Sequence, residues 1–377
     1  MRFLARERST VDELLPKLDA ILADTPLMEL ENPGGPGIAA FRECGGVGLL
    51  VPTAMGGAGA TALQAVRVQR AIGARSPSLA VATTMHHFSM ASLVLLGETS
   101  TGMEWMLVEG LTRGAKVLAS GFAEGRPDGG ILRPTMTATL TPDGIRVTGV
   151  KRPCSLARSM DLLTASVLIP RSDGAGDELA VVLIPADSPG VSVSGFWGSF
   201  ALAGAESDQV TLDDVLVPED LVVRPDTTPG QQLDDVQTAG FLWFELLMTA
   251  SYLGAASNLV ERVVLNERVT EAERVRLVVE VEAAMGAVEN VARQVTVSAL
   301  NPDLLAEALY VRYAVQDTIA RVVPRAIELL GGLNFMSADD IGYLAASVNG
   351  LGFHPPARAK MSGPLARYLT GDILEIV

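Results

Sequence analysis

The sequence predicts an α+β fold in which one block of β-strands separates two blocks of helices. Residues 1–115 carry apolar side chains at three- and four-residue spacing, as in STVDELLPKLDAILA, which is typical of amphipathic helices. From residue 116 the spacing changes to two, and short segments such as GIRVTGV alternate with turn sequences such as TPDG. After about residue 230 the helical pattern returns. Because the strands are consecutive, a separate β-domain is expected and a doubly wound parallel sheet is not.

The blocks predict three domains, with boundaries at residues 1–115, 116–230 and 231–377. In the first, ATALQAVRVQRAIGA and SLAVATTMHHFSMASLVLL continue the helical spacing. In the second, strands are predicted for KVLASGF, TMTATL, GIRVTGV, LLTASVLI, LAVVLIP, VSVSG and DQVTLDDVLV. In the third, RVRLVVEVEAAMGAVENVARQV and DLLAEALYVRYAVQDTIARVVPRAIELL are long and amphipathic.

Composition narrows the class of protein. The chain of 377 residues has 29 basic and 44 acidic residues and a net charge of −15, which argues against a nucleic-acid or anionic-membrane surface. No apolar signal core is apparent near the N-terminus, and the apolar segment 241–256 is short for a bilayer span. Cys44 and Cys154 lack metal-ligand spacing and are expected to be reduced thiols. A cytoplasmic protein is therefore predicted.

Five short motifs occur in a fixed order along almost the whole chain. They are GLLVPTAMGGAGA (48–60), SGFAEGRPDGG (120–130), GVKRPCS (149–155), DQVTLDDVLVPEDLVV (208–223) and ELLGGLNF (328–335). Together they resemble the acyl-CoA dehydrogenase family. The resemblance implies an N-terminal helical domain, a central β-barrel and a C-terminal four-helix bundle, with FAD held between them.

The resemblance assigns flavin-contacting roles to the two middle motifs. Ser155 is expected to place its hydroxyl at the flavin N5 edge, and Phe122 and Ala123 to offer backbone groups to the pyrimidine edge. Glu124 matches the family's turn glutamate, and Pro153 takes the place of an aromatic wall residue. From the residues alone, Ser155 is equally an ordinary turn serine, Phe122 a core residue and Glu124 a solvated turn acid.

Two further positions match the family's contacts with the adenosine diphosphate half of FAD. Gly331 and Gly332 follow a predicted helix, where glycine permits positive φ and close backbone approach. Arg268 stands in for the arginine of the family's R-x-Q-F-G motif, although no Gln-Phe-Gly follows it. The family often builds this pocket across a subunit boundary, so a homodimer or homotetramer is implied. A simple helix C-cap is the alternative for the glycine pair.

The family's usual catalytic carboxylate is missing, because Pro355 occupies its position. Some branches carry the base on the first C-terminal helix, where Glu245 is the single acid in sixteen otherwise apolar positions. Desolvation would raise the pKa of such a carboxylate and suit it to proton abstraction. His354 is the second candidate base. The alternatives are a Glu245 on the solvent or subunit face and a His354 that only begins a helix. No metal site is expected, since adjacent His86 and His87 point in different directions.

The resemblance implies α,β-dehydrogenation of an acyl thioester, in which a base removes the α-proton while the β-hydride moves to FAD. The substrate would be an acyl-CoA or an acyl group on a carrier protein, with an electron-transfer flavoprotein or oxygen as electron acceptor. One alternative is a flavin-dependent oxidase or monooxygenase on the same fold, which would need no α-carbon base. The other is a ligand-binding homologue that no longer dehydrogenates, because fold does not determine function.

Overall fold

The computed structural model describes residues 2–99, 104–126, 132–171, 176–224, 233–297 and 300–377. The first helical block contains seven helices within those ranges. They are α1 (Ala5–Leu14), α2 (Leu18–Asp24), α3 (Leu27–Leu30), α4 (Pro36–Glu43), α5 (Ala62–Arg75), α6 (Pro77–Thr99) and α7 (Glu104–Arg113). Thr61 caps α5 through its side chain, which accepts a hydrogen bond from the Gln64 backbone N–H. Helix α6 is apolar on all sides and is mostly buried.

The strand block forms one mixed sheet. Its strands are β1 (Leu118–Gly121), β2 (Thr137–Thr141), β3 (Gly144–Cys154), β4 (Leu162–Pro170), β5 (Asp177–Pro185), β6 (Val191–Ser194), β7 (Asp208–Val217) and β8 (Val222–Val223). The strand order is β6-β7-β3-β2-β4-β5-β8, and β1 pairs in parallel with β4. The predicted α+β class is confirmed, and closure of this sheet into a barrel stays a prediction.

The C-terminal block is helical again. It comprises α8 (Asp235–Leu265), α9 (Glu271–Val297), α10 (Pro302–Leu330), α11 (Gly332–Ser337), α12 (Asp339–Ser347) and α13 (Arg358–Tyr368). Helices α8, α9 and α10 pack on one another, and α8 also packs on α5 and α6. The two helical blocks therefore share one hydrophobic core. The predicted boundary between residues 230 and 231 lies outside the described residues.

Glycine allows α5 and α8 to approach closely. A Cβ atom added at Gly73 would lie 2.1 Å from the Ser251 carbonyl oxygen, and one added at Gly254 would lie 2.2 Å from the Arg70 carbonyl oxygen. Each glycine thus faces the backbone of the other helix, and no larger residue fits at the crossing. This contact sets the position of α8, which forms one wall of the site described below.

By length and composition, helices α6 and α8 could cross a bilayer, whereas the segment 241–256 alone is too short. That segment is part of a helix of 31 residues. The most apolar windows of α6 and α8 are 72% and 83% buried inside the protein, respectively. They are the core helices of the fold, since burial by protein on all sides produces the same apolar composition as burial in lipid.

Candidate active site

A cavity of about 610 Å³ lies where α6, the sheet and α8 meet. Its volume is in the range of small-molecule binding sites. Helix α6 contributes residues at helical spacing, among them Phe88, Ser92 and Leu96. The sheet contributes hydroxyl side chains from Ser120, Thr164 and Ser166, and α8 contributes Gly240, Phe241 and Phe244. The cavity therefore has a hydroxyl-bearing wall on the sheet side and an aromatic wall on the helix side.

The structure brings five of the residues singled out in the sequence to this cavity. They are Phe122, Ala123, Pro153, Ser155 and His354. Phe122 and Ala123 directly follow β1, and Pro153 and Ser155 lie at the end of β3. The other five predicted residues, Glu124, Glu245, Arg268, Gly331 and Gly332, are not among the described residues that line it.

Two serine hydroxyls meet on the sheet side. The Oγ atoms of Ser155 and Ser207 lie 2.9 Å apart, and both residues line the cavity. Each hydroxyl is both donor and acceptor, so the pair keeps hydrogen-bonding capacity for a ligand. Ser207 was not predicted from sequence, because it is 52 residues from Ser155 and lies in no recognisable motif.

Glu124 anchors the turn that carries Phe122 and Ala123. Its carboxylate accepts hydrogen bonds from the Thr135 backbone N–H at 3.0 Å and from Lys151 Nζ at 2.9 Å. Burial acts to raise the pKa of Glu124, but these hydrogen bonds outweigh it and lower the pKa to about 2. Lys151 is fully buried beneath the turn. Glu124 thus holds the cavity wall from behind as a permanently charged partner of Lys151.

Four aromatic rings form a row across the cavity. Phe122 and Phe88 have ring centroids 5.9 Å apart, Phe88 and Phe244 are 5.6 Å apart, and Phe244 and His354 are 6.4 Å apart. These distances are typical of favourable edge-to-face contacts. The row joins the sheet, α6, α8 and the loop before α13, so its members define one continuous surface from the predicted flavin edge to the imidazole.

His354 is a neutral imidazole at the end of this row. Burial, with a smaller contribution from the Arg312 charge, lowers its pKa to about 3. Its Nε2 atom lies 2.8 Å from the hydroxyl oxygen of Tyr252 on α8. Burial raises the pKa of Tyr252, so the phenol stays protonated. Because Nε2 is engaged behind the wall, Nδ1 is the ring nitrogen left for a ligand.

Glu245 lies behind the cavity wall rather than on it. Its Oε2 accepts a hydrogen bond from Arg312 Nη1 at 2.7 Å, and both side chains are fully buried. Burial raises the pKa of Glu245, and the Arg312 charge opposes that effect. Phe244 faces the cavity, and one residue further along the helix turns a side chain by about 100°. Glu245 consequently points towards α10, away from the ligand space.

Arg312 connects this ion pair to the loop that carries His354. Its Nη2 atom donates hydrogen bonds to the carbonyl oxygens of Leu351 at 3.0 Å and His354 at 2.5 Å. The two residues predicted as candidate bases therefore belong to one network, in which His354 faces the cavity and Glu245 neutralises the arginine that holds its loop.

The residues matched to the adenosine diphosphate half of FAD lie elsewhere. Gly331 ends α10 with φ of 86°, as expected for a helix-terminating glycine. Arg268 is exposed in the connection between α8 and α9. Their predicted contact with a cofactor or with a second subunit stays a prediction.

Comparison with known proteins defines the relationship of the chain. No protein-family model matches it. Isobutylamine N-hydroxylase from Streptomyces viridifaciens is 47% identical over 379 residues, covering 100% of both chains. The FMN-bound structure of TdsC from Paenibacillus sp. A11-2, a dibenzothiophene monooxygenase, has a TM-score of 0.81 at 19% identity over 98% of each chain. Nitrososynthase from Micromonospora carbonacea var. africana has a TM-score of 0.80 at 19% identity, covering 97% of this chain and 96% of its own.

The fold is thus one that monooxygenases use, and the predicted oxidoreductase class is confirmed at that level. Within this class, the chain belongs to the family of isobutylamine N-hydroxylase.

The predicted dehydrogenation of acyl thioesters is wrong. A full-length relative at 47% identity is an N-hydroxylase. N-hydroxylation takes place at nitrogen and removes no proton from an α-carbon. The absence of the usual carboxylate at Pro355 and the engagement of Glu245 with Arg312 agree with that chemistry. The predicted acyl-CoA or carrier-protein substrate and electron-transfer flavoprotein are unsupported for the same reason. The alternative of a monooxygenase on this fold is the one that the relatives favour.

Proposed function

We propose that this protein is a flavin-dependent N-hydroxylase of small aliphatic amines. The observation that carries the proposal is the cavity itself, which joins a hydroxyl-bearing sheet wall to an aromatic row ending at the neutral imidazole of His354. The full-length similarity to an amine N-hydroxylase supports the reaction class.

The sheet wall fits a flavin. A flavin ring is flat, neutral and edged with hydrogen-bonding atoms, and it needs an apolar face and polar contacts at its rim. Pro153 and Phe122 supply apolar surface, and Ser155 and Ser207 supply hydroxyls that are already 2.9 Å apart. Lys151 and its partner Glu124 hold this wall in place from behind.

We propose FMN as the form of the flavin, in place of the FAD that the family resemblance implied. Within the described residues of one subunit, Arg268, Gly331 and Gly332, which would contact an adenosine diphosphate half, do not line the cavity. The TdsC structure with the same fold contains FMN. Binding titrations of the isolated protein with FMN, FAD and riboflavin test this choice, and tighter binding of FAD than of FMN would contradict it.

When bound and reduced, the flavin supplies two electrons with which one atom of dioxygen enters the substrate and the other leaves as water. The amine R–NH₂ becomes the hydroxylamine R–NHOH, with a new N–O bond in place of one N–H bond. The apolar walls of the cavity remove water from the bound amine and lower its pKa, because desolvation disfavours the charged ammonium form. The amine nitrogen then keeps the lone pair that the reaction needs.

His354 orients the amine. Its Nδ1 atom accepts a hydrogen bond from an amine N–H, which leaves the nitrogen lone pair free, while Nε2–H donates to the Tyr252 oxygen and Arg312 holds the backbone carbonyl of His354. With a pKa of about 3 the imidazole carries no charge at neutral pH, so it does not repel any residual ammonium. The residue therefore acts by positioning an uncharged nucleophile, rather than as a strong base.

The test uses the purified protein loaded with FMN and supplied with reduced flavin and oxygen. Short aliphatic amines should give products one oxygen atom heavier, detected by mass spectrometry. These products should also act as reducing agents, as hydroxylamines do. Acyl thioesters should neither bleach the flavin anaerobically nor yield enoyl products. Oxygenation of a thioether or an aromatic sulfur compound in the absence of any amine oxidation would contradict the proposed function and favour a sulfur monooxygenase.

A further inference from the structure

We infer that the facing pair Ser92 on α6 and Gly240 on α8 sets the size of the alkyl group that the site accepts. The inference rests on the proposed amine N-hydroxylase function and deepens it. Both residues line the cavity, on the helix side and away from the hydroxyl-bearing wall assigned to the flavin.

Gly240 leaves space that any other residue would occupy. A Cβ atom added there would lie 2.7 Å from Ser92 Oγ, and no other atom of the described residues outside its own stretch of helix comes within 4 Å. The serine hydroxyl is the tip of a side chain that can rotate. A larger residue at position 240 would therefore project into the cavity once the hydroxyl rotates, which breaks its 3.2 Å hydrogen bond to the Phe88 carbonyl oxygen.

This environment differs from that of the other closely packed glycines of α5 and α8. Gly73 and Gly254 face carbonyl oxygens at 2.1 Å and 2.2 Å, so helix packing alone requires them. Packing makes no such demand at Gly240. Glycine is also less favourable than alanine inside a helix, so a buried glycine that lines a cavity without a packing requirement is expected to keep that space open.

The surroundings of this space suit an alkyl group. Phe244 lies one turn after Gly240 on α8, and Phe88 lies one turn before Ser92 on α6. The rings of these two phenylalanines are in contact at 5.6 Å. Four residues of helix rise span about 6 Å, which separates the Gly240 end from the Phe244–His354 end. An amine held at His354 would thus extend its carbon chain past Phe244 towards Gly240.

The direct test compares Gly240→Ala and Gly240→Val with the wild type. The substrates are ethylamine, propylamine, isobutylamine and hexylamine, assayed with the FMN-loaded protein. One methylene in an apolar pocket is worth roughly 10- to 200-fold in kcat/KM. Gly240→Ala should therefore lower kcat/KM for isobutylamine relative to ethylamine by about 10-fold or more, and Gly240→Val should extend the loss to propylamine. Ser92→Ala should shift the preference towards longer amines.

Two further variants distinguish filling of the cavity from a change in helix propensity and from the contact with the Ser92 hydroxyl. Gly286→Ala adds a methyl group to an exposed helix glycine of α9 that has no neighbour within 4 Å, so it controls for helix propensity and should keep the wild-type substrate profile. In the double variant Gly240→Ala/Ser92→Ala the contact with the hydroxyl is gone, and the preference for short amines should persist in part.

The readouts include FMN binding by fluorescence and amine binding by perturbation of the bound-flavin spectrum. FMN affinity should be unchanged in Gly240→Ala, and the amine dissociation constants should follow the kcat/KM order. An unchanged amine profile in Gly240→Ala, with wild-type oxidation intact, overturns this inference alone. A parallel loss of FMN affinity also overturns it, by placing Gly240 against the flavin. A wild-type protein that neither binds nor oxidises any amine overturns the proposed function and the inference together.

Discussion

At the residue scale, the three histidines are all held neutral by their surroundings. His86 shows how. Its Nδ1 accepts a hydrogen bond from the Leu118 N–H at 3.1 Å, so Nε2 carries the proton and donates to the Val47 carbonyl at 3.0 Å. Burial lowers the pKa of His86 to about 4 and that of His87 well below 6.5. The His86 side chain thus joins α6 to neighbouring backbone, which is a structural role.

We predict that no imidazole of the folded protein titrates between pH 6 and 8, a window that lies above the lowered pKa values of His86 and His354. With three histidines in the chain, NMR titration of the C2 protons resolves each one. Tyr252→Phe serves as a control that should change the chemical shift of His354 without bringing its pKa to 6.5 or above. A wild-type imidazole with a pKa near 6.5 would contradict the prediction.

The same shifts predict how stability depends on pH. Below pH 6.5 the unfolded chain binds protons at its histidines, whereas folded His86 stays neutral to about pH 4. The unfolded state therefore binds more protons, and the contribution of His86 to the unfolding free energy falls by about 3 kcal/mol as the pH drops from 6.5 to 4. Urea unfolding at a series of pH values measures this slope, and the slope should be shallower in His86→Gln.

The buried Glu245–Arg312 pair provides a second residue-scale prediction. Removing one partner leaves an uncompensated charge, so Arg312→Leu should lower the unfolding free energy by about 3–5 kcal/mol. It should also lower amine turnover, because Arg312 holds the loop that carries His354. The double variant Arg312→Leu/Glu245→Leu should recover stability, since no charge remains buried alone.

A catalytic role for Glu245 would give a different pattern. Glu245→Gln would then abolish turnover while leaving the urea midpoint unchanged. The structure predicts that the same variant is measurably destabilised, because Arg312 loses its counter-charge inside the core.

At the element scale, the crossing of α5 and α8 positions the helix wall of the cavity. Gly73→Ala would place a methyl group 2.1 Å from the Ser251 carbonyl oxygen, so the helices must separate. Overpacking of this kind typically costs about 1–3 kcal/mol. We expect a lower urea midpoint and weaker amine binding, since α8 carries Phe244 beside His354. Gly286→Ala, on the open face of α9, should be neutral or stabilising, and an equally stable Gly73→Ala would show that the crossing is looser than described.

At the scale of the whole molecule, the short helix α11 exposes several large apolar side chains. Leu333 is 79% exposed, Phe335 50% and Met336 75%. Adjacent exposed apolar residues commonly mark an interaction surface. This helix follows Gly331 and begins at Gly332, the pair that the family resemblance places at a subunit boundary. The feature agrees with the homodimer or homotetramer predicted from that resemblance.

We predict that the protein is a homo-oligomer and that Leu333→Glu/Met336→Glu lowers its molar mass in multi-angle light scattering. Burying an unpaired carboxylate in an apolar interface is unfavourable, and this cost exceeds the free energy gained from the contacts. Val279 on α9 is also an exposed apolar residue, so Val279→Glu tests whether a charge on α11 in particular lowers the mass. Identical masses for the wild type and the α11 variant would rule α11 out as the interface.

The order of helical and strand blocks follows from sequence alone. The spacing of apolar residues is a local feature of the chain, and it indicates helix or strand without knowledge of the tertiary contacts. Five of the ten predicted site residues also reached the cavity. Their motifs lie at the ends of β1 and β3 and in the loop before α13, where strand ends and loops naturally border a binding site. The resemblance did not determine the reaction, since one fold serves many chemistries.

Only the tertiary structure determines which residues far apart in the sequence come into contact. Arg312 pairs with Glu245 across 67 residues, and this contact makes the lone acid of an apolar helix a structural ion-pair partner. A single step along that helix turns a side chain by about 100°, which separates Glu245 from the cavity-lining Phe244. The space beside Gly240 likewise exists only because α6 brings Ser92 opposite it. Sequence periodicity specifies which residues form an element, whereas helix rotation and long-range packing determine which of them meet a ligand.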